Sequence, residues 1–200
     1  MAALILQAVV LAGGSGSRFG GGKLLAPWRG GVLIDGALAA AFAAPVAGVT
    51  VVTGADAEAV ERAVRSFAER TGQVERMTVV NAPDWAEGMA ATLRAGIAAV
   101  PEAAGGALVF LSDMPLVPHE VLAPLAKALA DGAPASAPEF DGKRGNPVGL
   151  AREMFDEIME LTGDQGARNI LRSLGWELAL VPTESDGVLI DVDTPADLPA

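Results

Sequence analysis

The chain has no cysteine, and only one of its 200 residues is histidine. The first absence excludes disulfides and thiolate-bound metals and fits a cytoplasmic protein. With neither Cys nor a His cluster, zinc is disfavoured. His119 stands far from any candidate serine, and no Gly-x-Ser-x-Gly elbow occurs, so triad hydrolysis is disfavoured. Positive charge is scarce as well. Fourteen Lys and Arg against 25 Asp and Glu leave a net charge of −11, a poor match for nucleic-acid phosphates. Long apolar runs are missing too. Hydrophobic residues make up 51% of the chain, yet no run reaches the roughly 18 residues of a membrane helix. "MAALILQAVVLA" lacks a cationic start and leads into glycines rather than a polar cleavage region, so it reads as a strand and not a leader. No repeat, linker or biased tail divides the chain, and residues 1–200 read as one domain.

Against this acidity, one region stands out. The first 34 residues carry no Asp or Glu, while Arg18, Lys23 and Arg29 all fall there. In "VVLAGGSGSRFGGGKLL" an apolar run ends at six glycines within ten residues. Neither common phosphate loop fits. A Walker loop needs glycine where Ser17 stands and Ser or Thr where Leu24 stands, and a dinucleotide fingerprint needs glycine in place of Phe19. Glycines nonetheless let backbone N–H groups face a ligand. Together with the cations and a preceding strand, they describe an anion site at the carboxyl end of a sheet, where open α/β folds bind ligands.

Strands and helices alternate up to Asp131. Leu4–Leu11, Val49–Gly54, Met77–Asn81 and Gly106–Ser112 read as buried strands. Val32–Ala44 reads as a helix, as do "ADAEAVERAVRSFAER", "EGMAATLRAGIAAV" and "PHEVLAPLAKALA". In the second of these four, Val60, Ala63, Val64 and Phe67 share one face. This order implies a mostly parallel, mixed sheet covered on both sides. Beyond Asp131 the pattern predicts a short strand, a loop, a strand at Pro147–Ala151, helices over Arg152–Leu161 and Gln165–Leu174, a strand in "WELALVP", and a strand end and closing helix in "GVLIDVDTPADL". Residues 1–131 form the first part and 132–200 the second. Trp28, Trp85 and Trp176 lie in separate segments and read as packing residues.

Carboxylates follow two of the strand ends. Asp113 comes just after "LVFLS", and Asp191 and Asp193 sit in "LIDVDTP". A carboxylate at a strand end is solvated, paired or metal-bound, because burying it alone is costly. Residues two apart in an extended segment face one side, so Asp191 or Asp193 could meet Asp113. Two carboxylates plus phosphate oxygens suit Mg2+. The competing reading of Asp193 or Thr194 is a helix cap ahead of Pro195.

These segments resemble the signatures of the MobA-like nucleotidyltransferases. "LAGGSGSRFGGGKLLAPWRG" is similar to LAxGxSxRMGxxKxLLPxxG at Leu11, Ala12, Gly14, Ser15, Arg18, Gly20, Lys23, Pro27 and Gly30. "EGMAATLRAG" resembles GMxxSLRxG, "SDMPLV" resembles GDMPLV, "RGNPVGL" resembles RGHPVLF, "GDQGAR" matches outright, and "DVDTPADL" resembles DIDTPEDL. The set runs in family order from Leu11 to Leu198. Its departures are Phe19 for Met, Thr92 for Ser, Ser112 for Gly and Asn146 for His. The last four segments resemble the molybdenum cofactor cytidylyltransferases, which transfer CMP from CTP to molybdopterin.

The resemblance implies a Rossmann-like three-layer α/β nucleotidyltransferase fold. It implies that Leu11, Ala12, Gly13, Gly14, Ser15, Arg18 and Lys23 surround the triphosphate. Arg18, Lys23 and Asp113 would be catalytic, and Asn81, Gly88 and Met89 would read the base. Asp113 with Asp193, or Asp191 in its place, would hold Mg2+. Arg144, Gly145, Asn146 and Arg168 would bind the phosphorylated acceptor. The implied partners are CTP, a molybdopterin-type acceptor and a molybdoenzyme that receives the product, with neither nucleic acid nor membrane among them. Two alternatives stand beside it: a related transferase using GTP or another acceptor, and a non-catalytic protein that binds and delivers nucleotide or cofactor.

Overall fold

The computed structural model describes residues 4–198. Its strands are β1 (Leu6–Ala12), β2 (Pro27–Trp28), β3 (Gly31–Val32), β4 (Gly48–Thr53), β5 (Met77–Asn81), β6 (Gly106–Leu111), β7 (Ala135–Phe140), β8 (Lys143–Arg144), β9 (Val148–Ala151) and β10 (Leu178–Pro182). Its helices are α1 (Ile34–Ala43), α2 (Ala57–Thr71), α3 (Met89–Ala98), α4 (Leu122–Ala130), α5 (Phe155–Met159) and α6 (Arg168–Ser173). The main sheet runs β10-β7-β9-β6-β1-β4-β5, with β8 appended to β7, while β2 and β3 form a separate hairpin. Pairs β4–β1, β1–β6, β4–β5 and β10–β7 are parallel. β9 is antiparallel to both β6 and β7, so the sheet is mixed in its second half.

Side chains alternate along β1 and so divide the core into two. Ala8, Val10 and Ala12 face a cluster with Ile34 and Leu38 of α1, Val64 and Phe67 of α2, and Leu125 of α4. Val9 and Leu11 face the opposite cluster, with Leu93 and Ile97 of α3, Ile158 of α5 and Ile170 of α6. The result is three layers, helices on both faces of one sheet, as a buried parallel sheet requires. Among the described residues no helix is long and apolar enough to cross a membrane.

The structure corrects several expectations. β1 begins at Leu6, and Leu4 and Ile5 are exposed ahead of it. The apolar run Val188–Val192 forms no strand. Val188 ends a 3-10 turn, and Val192 is fastened only by its amide to the carbonyl of Asp113, at 3.0 Å. The closing helix is a single 3-10 turn, Pro195–Asp197. Trp176 is 91% exposed and packs in no core.

Candidate active site

β1, β4 and β6 are parallel neighbours, so their carboxyl ends open on one edge of the sheet. The glycine loop leaves β1 there. It is built from two 3-10 turns, Ser17–Phe19 and Lys23–Leu25. Gly16 and Gly22 precede these turns with φ of 58° and 62°, left-handed values that glycine adopts without strain. The amides of Gly14, Ser15 and Gly16 donate to no protein acceptor among the described residues. All three residues line a cavity of about 450 Å3, and their free N–H groups suit an anion.

Lys23 closes the loop onto the carboxylates. Its Nζ lies 2.6 Å from Asp113 Oδ2 and 3.8 Å from Asp193 Oδ1, and its side chain is only 12% exposed. Arg18 Nη1 donates to Asp193 Oδ2 at 2.7 Å. The extended segment after Leu189 explains this convergence. Asp191 and Asp193 both line the cavity, while Val192 between them is fully buried, the alternation expected of extended backbone. Asp193 is not the cap. Thr194 opens the closing turn, and its hydroxyl and amide donate to Asp197 Oδ2 at 2.8 and 2.7 Å. Those hydrogen bonds, the hydroxyl's first, hold the Asp197 carboxyl below its usual range. Asp193 is left to face the two cations.

The opposite wall comes from Trp85, Ala86, Gly88, Met89 and Thr92, at the start of α3. Thr92 is 4% exposed. Asn81 is not among the lining residues. β5 is the sheet's edge strand, one place beyond β4, so Trp85 and Ala86 in the turn after it reach the cavity instead. Ala12 is also absent from the lining, buried in the core at the end of β1. Arg29 stands away from the cation pair, its guanidinium 4.8 Å over the Trp28 ring.

A second cavity, about 630 Å3, adjoins the first and shares Leu11, Met89, Leu111 and Asp164 with it. Arg144, Gly145, Asn146 and Arg168 all line it, over a floor of Leu93, Val109, Val148 and Leu171. Sequence reasoning missed Asp164, which stands where the two cavities meet, although it lies inside the "GDQGAR" segment. Trp85 and Thr92 were missed as well, for want of a local signal of cavity position. Arg18, Lys23, Asp113, Asp191 and Asp193, drawn from the start, middle and end of the chain, share one cavity.

A loop of free amides, a Lys–carboxylate cluster and an adjoining second cavity suit a nucleotide donor beside an acceptor. The MobA-like NTP transferase domain matches residues 8–179. The chain belongs to this family, and it is an enzyme of the nucleotidyltransferase class. It is 31% identical over 194 residues to nicotine blue oxidoreductase of Paenarthrobacter nicotinovorans, covering 93% of this chain and 91% of the relative. It is 23% identical, also over 194 residues, to the molybdenum cofactor cytidylyltransferase of Escherichia coli K12, covering 96% and 93%. The crystal structure of Rv0371c from Mycobacterium tuberculosis H37Rv superposes with a TM-score of 0.83 at 26% identity, covering 98% of this chain and 96% of that one. A manganese complex of Rv0371c gives 0.79 at 25% identity, covering 96% and 95%. Divalent metal therefore occurs within this structural group.

Proposed function

We propose that the enzyme transfers CMP from CTP to the terminal phosphate of a molybdopterin-type acceptor and releases pyrophosphate. The observation that carries this reading is the pairing of cavities: one walled by phosphate-type amides, Lys23 and Arg18, the next by Arg144 and Arg168. The 23% identity to a cytidylyltransferase over nearly the full length supports it.

The chemistry follows from charge. An oxygen of the acceptor phosphate attacks the α-phosphorus, a new P–O bond forms, and the bond from the α-phosphorus to the bridging oxygen breaks. That electron pair leaves with pyrophosphate. The attacking oxygen is already anionic, so no strong general base is required, in keeping with a lone histidine outside both cavities. Arg18 and Lys23 offset charge on the triphosphate and on the leaving group, while the free loop amides hold its oxygens. Arg144 and Arg168 orient the acceptor.

The donor set fits Mg2+. Asp113 and Asp193 both face Lys23 Nζ and would supply hard oxygen ligands, and Asp191 lines the same cavity. When bound there, the ion would offset phosphate charge.

A second reading rests on the 31% identical relative, whose name is that of an oxidoreductase. It would place a redox donor in the loop cavity and an apolar acceptor beside it. A third keeps nucleotidyl transfer with GTP or another phosphate. One experiment separates them: pyrophosphate release from each of four NTPs, with and without molybdopterin, run alongside consumption of reduced dinucleotide. CTP- and molybdopterin-dependent release is the expected result. Reduced-dinucleotide consumption without pyrophosphate would favour the second reading.

A further inference from the structure

The two cavities share a wall, and something must hold that wall in place. The segment between α5 and α6, residues 160–167, crosses the start of α3 with its 162–167 loop and carries Asp164 into both cavities. Three contacts bind it to α3. The amide of Ala90 donates to the carbonyl of Gly163 at 3.0 Å. Gly88 packs so tightly that a Cβ there would lie 2.5 Å from the backbone of Gly163. Arg94, one turn further along α3, donates through Nη1 to the carbonyl of Leu161 and through Nη2 to Glu87 at 3.3 Å.

Arg94 lines neither cavity, and its side chain is only 22% exposed. It spans 67 positions of sequence to reach Leu161, and its other arm reaches a carboxylate in the turn just before α3. A planar guanidinium can serve two acceptors in different directions at once, which a lysine ammonium on a flexible stem does less well.

We infer that Arg94 is a positioning residue for the acceptor. It ties the head of the 162–167 loop to α3, and so fixes Asp164 and the following Arg168 relative to the donor wall of Gly88 and Met89. This rests on the nucleotidyl-transfer reading above for its kinetic consequence, but not for its structural one.

The test uses Arg94→Ala and Arg94→Lys in the full chain. Arg94→Ala is expected to raise the acceptor KM by about tenfold or more, the cost of a lost charged hydrogen bond. The dissociation constant of CTP by calorimetry should stay within about threefold. Arg94→Lys should recover part of the acceptor KM. Amide hydrogen exchange over residues 162–167 should quicken in Arg94→Ala and recover partly in Arg94→Lys. Equal losses toward CTP and acceptor would overturn the inference, as would unchanged exchange in the loop. If the wild-type chain releases no pyrophosphate from any nucleotide, the reaction assignment fails by itself, and the exchange measurement still decides the role of Arg94. Should Arg94→Ala fail to fold, Arg94→Lys alone must still show faster loop exchange and a raised acceptor KM, and wild-type values in both would reject the inference.

Discussion

Lys23 touches both carboxylates of the cluster, so at the scale of single residues it is the most informative to alter. On the proposed reading, Lys23→Ala would remove a phosphate contact and leave the far wall alone. It is expected to weaken CTP much more than cytidine, measured by calorimetric titration with each. Asp113→Asn keeps the side-chain shape but loses the charge 2.6 Å from Lys23. Pyrophosphate release should fall on the order of 100-fold, the scale of losing a principal electrostatic contact in a transition state. Near-normal turnover would remove Asp113 from the mechanism. Arg144 lies in the second cavity only. Arg144→Ala should leave CTP affinity within a few-fold while lowering kcat/KM for the acceptor by roughly 5- to 150-fold. Abolished CTP binding would assign this arginine to the donor side.

At the scale of elements, the first half was legible because its signals are local. β1, β4 and β6 are short, predominantly apolar and buried runs, and Val60, Val64 and Phe67 mark the buried face of α2. The second half was less so. β8 and β9 are too short to carry a pattern, and "VLIDV" has a strand's composition without a strand partner. Its alternation still predicted that Asp191 and Asp193 face one way, because backbone extension does not depend on a ladder. Asn81 ends the edge strand β5, and it is the following turn, with Trp85 and Ala86, that lines the cavity. Arg94 lies inside the "EGMAATLRAG" segment, but its role was not legible there, since its partner Leu161 lies 67 positions away, past the end of α5. Gly88 tests how tightly these elements are joined. Its φ of 114° is unfavourable for any other residue, and a Cβ would press on Gly163. Gly88→Ala should cost about 1–3 kcal/mol, read as a lower denaturation midpoint. An unchanged midpoint would mean the 162–167 loop moves aside freely.

The whole molecule carries a net charge of −11, and its donor cavity does not escape that sign. Arg18 and Lys23 line it against Asp113, Asp164, Asp191 and Asp193. On the proposed reading, a bare nucleoside triphosphate would enter a cavity with more carboxylates than cations. Its affinity is expected to be low without a divalent ion, and that of the ion to be low without nucleotide. Each should raise the other's affinity by the same factor, on the order of 5- to 150-fold. Calorimetry of CTP with and without Mg2+, and of Mg2+ with and without CTP, measures both arms. CTP binding that is indifferent to the metal would contradict the charge argument.

The closed ion pairs of the resting site have a further consequence. Lys23 sits where a cation would, and Asp113 and Asp193 stand in for the oxygens of a phosphate. The protein is its own decoy ligand. An anion arriving alone can capture Lys23 only by stranding Asp113, since Asp193 keeps Arg18, and a cation arriving alone must displace the lysine. Only when both arrive does every charge find a new partner. On the proposed reading the site is expected to act as a coincidence detector, binding inorganic phosphate alone or metal alone weakly and the two together more tightly.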